Sequence, residues 1–256
     1  MTEAEWLACE DPWAMLEFLR GGAVCLVDQQ PPGRVADARR HLRRAAGDRP
    51  ARMFACACCR RLWPVLRDTR SRDALEVAER FLEGLASDKQ LWAAHEDAQG
   101  ARDAIRTRPG DAGREAALVS RSAAVAVMLA VRFDVRAAAE ECATAAAWAS
   151  LSPGVAEATR DQVRLLHDVV GSPFRPPPPI PAPVLNWSDG TGSRLARAAY
   201  DERQLPSGHL DPGHLAVLAD ALEEAGCGDA VLMAHLRSPG PHVRGCWAVD
   251  LVLGRG

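Results

Sequence analysis

The stretch FACACCRRLW, residues 54–63, carries three cysteines at positions 56, 58 and 59. A thiolate is a ligand for zinc and other borderline metals, and a thiol of lowered pKa is a nucleophile. Cys56 and Cys59 have the C-x2-C spacing of one half of a zinc site. The other half must come from far along the chain, where Cys227, His235, His242 and Cys246 lie close together in sequence. His242-x3-Cys246 has ligand spacing, although Pro241 and Gly245 also make that segment a natural turn. The metal candidate is therefore zinc on Cys56, Cys59, His242 and Cys246.

The same residues have a simpler explanation. On a helix Cys56 and Cys59 are i and i+3 and share a face. Trp63 and Leu66 continue it; Phe54, Cys58 and Leu62 form an adjacent stripe, with Arg60 and Arg61 turned outward. Cysteine in such a place behaves as a small hydrophobe and is among the most buried residue types. The expected role of the sulfurs at 56 and 59 is core filling, with no cofactor beyond the zinc option. A redox role is disfavoured, because a mid-helix cysteine lacks the helix N-terminus that activates C-x-x-C thiols.

Signatures of catalysis are missing from the sequence. No G-x4-G-K-[ST], H-E-x-x-H, G-x-S-x-G or G-x-G-x-x-G occurs. SDGTG at 188–192 has the composition of a turn leading into a helix cap. The seven histidines are scattered, and no neighbouring Ser or Asp forces a triad reading. Glu140-Glu141 and Glu223-Glu224 are ordinary solvated helix faces, lacking the Glu-x-x-His pairs of a carboxylate-bridged metal bundle. The expectation is a protein without catalytic residues.

Charge gives a second candidate surface. Residues 34–72 hold twelve arginines against three aspartates. A face made of Arg39, Arg40, Arg43, Arg44, Arg60 and Arg61 could hold phosphates or an acidic partner. The flanks argue otherwise: residues 1–33 carry six acids and one arginine, and residues 73–104 carry eight acids against three cations. With a net charge of −3, the basic helices are expected to pair internally or present a solvated face.

These residues must be positioned by helices. Alanine is abundant while aromatics are only 5 % of the 256 residues, so the core is built from Ala, Leu and Val, and strand formers are scarce. Thr2 with Glu5 predicts a capping box opening a first helix through Leu19, closed by Gly21 and Gly22. A break at DQQPPG precedes an amphipathic helix over residues 34–48, then a helix from Pro50 to Leu66. Ser87 with Gln90 predicts a second capping box, and its helix runs toward Arg106. RPGDAG is a turn. An alanine-rich helical stretch from Gly113 to Leu151 breaks near Asp134, and Pro153 opens a helix ending at Val170.

Seven prolines between Pro173 and Pro183 predict an extended connector, with a PxxP ligand as the lesser alternative. Asp189 or Thr191, Asp211 and Asp229 cap three further helices. The fold class is all-α: a helical bundle domain over residues 1–172, a proline-rich linker over 173–184, and a small helical module over 185–256. No apolar run reaches the ~18 residues of a membrane span. The acidic start reads as no secretory leader, so the eight cysteines are expected to be free thiols of a cytoplasmic protein.

FACACCRRLWPVLRDTRSRDALEVAERFLEG, the segment from Trp187 to Gly254, and MTEAEWLACEDPWAMLEFL together resemble a family of helical proteins abundant in planctomycete genomes. The resemblance covers most of the chain. It implies a cytoplasmic, lineage-restricted protein and transfers no catalytic residue. The function expected is that of a non-enzymatic binding or adaptor protein whose partner is another protein. Nucleic-acid binding through the arginine-rich helices and zinc binding through Cys and His are the alternatives; no membrane is involved.

Overall fold

The computed structural model describes residues 1–21, 48–105, 114–132, 134–150 and 154–255. Among these, thirteen helices and no strand are found, so the fold is all-α. The helix expected over residues 34–48, with Arg39, Arg40, Arg43 and Arg44, lies outside the described residues apart from Asp48; DQQPPG, RPGDAG and Pro153 lie outside them altogether.

The N-terminal region forms two helices instead of one: α1 (Glu3–Leu7) and α2 (Pro12–Arg20). The Thr2–Glu5 capping box is present at α1. Asp11 restarts the chain by accepting the Trp13 N–H, and Pro12 at the first position of α2 cannot donate back to the preceding turn. Helix α3 (Asp48–Arg60) ends earlier than expected, and turns carry the chain through Pro64. Helices α4 (Thr69–Leu82) and α5 (Asp88–Ala104) follow, capped by Asp68 and by the Ser87–Gln90 box. Helices α6 (Arg114–Ala130) and α7 (Val135–Trp148) break near Asp134, as expected, and α8 is Gly154–Val170.

Helix α3 sits centrally, packing on α4, α6, α7 and α8. Its Met53, Phe54, Cys56, Cys58 and Cys59 are all buried. Alanines at 123, 126 and 130 of α6 and 138, 139 and 143 of α7 are buried too, and small side chains let such helices approach closely. These residues belong to one apolar cluster that runs from Trp6 to Val169 and also takes in Val243.

The C-terminal helices are α9 (Ala182–Leu185), α10 (Thr191–Asp201), α11 (Pro212–Glu224), α12 (Ala230–Leu236) and α13 (Trp247–Val252). Asp211 and Asp229 are N-caps as expected; α10 is capped by the left-handed Gly190 instead of Asp189 or Thr191. Their apolar side chains form a second cluster, with Leu215, Leu218, Leu222, Leu232 and Val249 at its centre. Between the two clusters the contacts include ion pairs: Arg49 with Asp250, at 2.7 and 2.9 Å, and Arg203 with Glu79, at 3.2 Å. No helix of the described residues is long and apolar enough to cross a membrane.

Candidate metal centre

Four side chains converge where α8 meets the C-terminal helices. Asp168 comes from the last turn of α8, His235 from the last turn of α12, His242 from the following turn, and Cys246 from the cap of α13. One oxygen, two nitrogens and one sulfur from this set all lie within 4.8 Å of one another. His242 Nδ1 is 2.8 Å from Asp168 Oδ1, and His235 Nε2 is 3.1 Å from that same oxygen. His235 Nε2 is also 3.2 Å from Cys246 Sγ. Asp168, His242 and Cys246 are buried, whereas the His235 side chain keeps 18 % of its surface exposed.

Local sequence explains the placement. Asp168 follows Leu165 at i+3, so it occupies the buried face of α8 as a polar residue among apolar ones. Two glycines shape the loop that brings His242 and Cys246 in. Gly240 has φ 84°, and a Cβ there would lie 2.6 Å from the His242 backbone nitrogen. Gly245 has φ 93°, and a Cβ there would lie 2.5 Å from Met53 Cγ on α3. Only glycine tolerates both the left-handed backbone and so close an approach.

The hydrogen bonds around the cluster orient its donor atoms. The Val243 N–H donates to Asp168 Oδ2 at 2.8 Å, which leaves Oδ1 facing the imidazoles. His242 Nε2 faces two groups of Ser238, its carbonyl oxygen at 3.1 Å and its hydroxyl at 3.2 Å, so this nitrogen finds a partner whether it donates or accepts. With the proton on Nε2, Nδ1 turns a lone pair toward the cluster, as a metal-ligating imidazole does; with the proton on Nδ1, that nitrogen donates to the Asp168 carboxylate at 2.8 Å. An imidazole N–H held by a backbone carbonyl and a carboxylate held by a backbone amide are the supports that metal-ligating His and Asp commonly have.

The electrostatics match an acceptor-rich site. Burial raises the Asp168 pKa, but its hydrogen bonds with His235 and His242 outweigh this and hold it below the usual carboxylate value. Burial pulls His242 down, and the Asp168 hydrogen bond and charge bring it above its ordinary value. Burial, with the Asp168 charge, pushes the Cys246 thiol well up, against the pull of N–H groups from Val249 and Ala248. A divalent cation at the centre reverses the penalty on the thiolate.

The residues expected from sequence divide sharply. His242 and Cys246 are brought together; Cys56 and Cys59 do not join them. Cys59 Sγ instead lies 3.9 Å from Cys142 Sγ, and Cys142 donates to the Ala126 carbonyl at 3.3 Å. Burial raises the Cys56 pKa, and the contact with Cys142 followed by burial raises that of Cys59. The basic face is also redrawn. Arg60 is buried, not turned outward, and forms a two-pronged pair with Glu79 at 2.8 and 2.7 Å. Arg61 is exposed and pairs with Asp161.

Asp168 is the member of the cluster that sequence reading misses. Its signal in sequence is weak, a carboxylate three residues after Leu165 on a face that also holds Asp161, and its partner His242 lies 74 residues away. His235 is one of the four C-terminal candidates in sequence, but spacing alone does not select it over Cys227. In comparisons with known proteins, no family model, no curated protein and no solved structure matches the chain.

Proposed function

We propose that this is a metal-binding helical protein in which Asp168, His235, His242 and Cys246 hold one zinc-class divalent cation in a closed structural site. The observation that supports it is the convergence of four donor atoms within 4.8 Å of one another, with Asp168 Oδ1 facing both imidazoles and Oδ2 held by the Val243 N–H. A mixed sulfur, nitrogen and oxygen set suits zinc, whereas magnesium and calcium favour oxygen alone. Zinc needs about 2.0–2.3 Å to each donor, so short relaxations from the present spacing are enough to seat it. Four protein donors leave no position for a reacting water, which favours structure over catalysis.

Cys246 is poorly placed as a nucleophile. Its sulfur is fully buried, and the nitrogen of His235 that faces it is the one that also faces Asp168. A catalytic relay uses opposite ring nitrogens for nucleophile and carboxylate. Metal analysis of purified, untagged protein tests the reading, together with cobalt substitution. One ion per chain and a cobalt–thiolate charge-transfer band that Cys246→Ser removes are the expected results; zinc at background level in protein refolded with it overturns the reading.

Protein binding is the second reading, favoured by Trp92 and Trp148, which stand 55 % and 67 % exposed. Large aromatics of this kind anchor protein interfaces. The nucleic-acid reading is weakened because Glu79 and Asp161 already engage Arg60 and Arg61.

A further inference from the structure

Resting on the metal-binding reading, we infer that the cation acts as a latch: it decides whether the C-terminal helices stay docked on the bundle. The donor set straddles two separately cored parts of the chain. Asp168 stands beside Leu165, Leu166 and Val169, which belong to the first apolar cluster. His235 and Cys246 stand on helices whose Leu232, Leu236 and Val249 belong to the second, which also includes Cys246 itself. One ion therefore ties a single bundle ligand to three ligands from the C-terminal part.

The rest of the junction depends heavily on charge. Arg49 meets Asp250, Arg203 meets Glu79, and Arg255 meets Glu83, each pair with one member on either side. Val243 reaches into the first cluster, and Met53 packs against Gly245. Ion pairs of this kind gain little net free energy after desolvation. Without the cation, the four side chains are joined only by hydrogen bonds, from Asp168 to His235 and His242 and between His235 and Cys246. Separation of the two parts breaks those contacts and the ion pairs, while each part keeps its own apolar core.

Hydrogen exchange on the full chain, with one equivalent of zinc and after chelation, tests the latch; native mass spectrometry on the same samples counts the ions. The expected result is one bound ion and at least tenfold slower exchange with zinc in segments 165–171 and 235–250. Helix α5, which carries none of these junction residues, should exchange at the same rate in both samples. One bound ion with no local change overturns the latch and leaves the metal site standing. Equal loss of protection everywhere on chelation also overturns it, because the ion then supports the whole fold instead of the docking. Absence of a bound ion overturns the metal site and the latch together.

Discussion

Asp168 and His242, 74 residues apart in sequence, meet at 2.8 Å, and the backbone N–H next to His242 holds the other oxygen of the same carboxylate. The carboxylate thus does two jobs. Oδ2 fixes the loop, and Oδ1 supplies negative charge to the centre of the cluster. Asp168→Asn separates them, since an amide oxygen can still accept from Val243 but carries no charge. This variant is expected to lower zinc affinity by at least about 100-fold. Competition against a chromophoric chelator measures it; wild-type affinity in Asp168→Asn removes Asp168 from the ligand set.

Zinc must displace protons, so its affinity should rise with pH. In the ion-free protein, burial holds the Cys246 thiol protonated, and Asp168 outweighs burial to hold His242 above 6.5. Loading the site releases one to two protons, or about tenfold to hundredfold in affinity per pH unit near neutrality. The ion-free fold has the opposite sign. A histidine whose pKa is raised on folding contributes stability that is complete below about 6.5 and is lost as pH climbs through the folded value. Zinc-loaded and ion-free melting curves should therefore diverge as pH increases. Parallel curves contradict the assignment.

The Arg60–Glu79 pair predicts a stability effect independent of metal. Both side chains are buried, and Arg203 reaches the same carboxylate from the C-terminal part. Glu79→Gln leaves two arginines short of a counter-charge in a desolvated place. The expected cost is about 3–5 kcal/mol in chemical denaturation. Replacing both residues, as Arg60→Met with Glu79→Leu, should cost less than the single change. A single-variant cost under about 1 kcal/mol means the pair is solvated in the working protein.

Much of the helical framework is legible because its signals are local. The two capping boxes, the Asp134 break, and the Asp211 and Asp229 caps each depend on residues three or four apart, and the structure contains all of them. The split between α1 and α2 is equally local, since Asp11-Pro12 is a start signal in its own right. What sequence does not reveal is long-range choice. Arg60 falls on an outward position of an isolated helix, yet α4 and its Glu79 close over it. Asp168 resembles a surface aspartate until α13 packs on α8 and His235, from α12, reaches its carboxylate. Burial of charge is decided by the partner element, and only tertiary packing supplies the partner.

The cysteines divide into two chemical classes, and serine substitution distinguishes them. Cys59 is fully buried against Cys142 and apolar neighbours. Cys59→Ser places a hydroxyl where a thiol fills space, and about 1–3 kcal/mol of stability should be lost with zinc content unchanged. Cys246→Ser should do the reverse, abolishing the cobalt–thiolate band while the ion-free protein melts close to wild type. Metal loss in Cys59→Ser at a temperature where the protein is folded puts Cys59 in the ligand set and overturns the division.

Gly240 offers a test that touches no ligand. Its φ of 84° and the 2.6 Å approach to the His242 nitrogen leave no room for a methyl group. Gly240→Ala must push the His242 backbone away or rotate the loop, and either movement carries Nδ1 off Asp168. Gly240 itself belongs to neither apolar cluster and its Cβ would meet His242 first, so the strain is expected to fall on the site more than on the cores. Zinc affinity should drop about 10–100-fold, the range typical of supporting residues around a metal. The ion-free melting temperature should move only a few degrees, as a change of about 1–2 kcal/mol implies. A large loss of ion-free stability with unchanged zinc affinity would show that Gly240 serves the packing of the C-terminal helices and not the placement of His242.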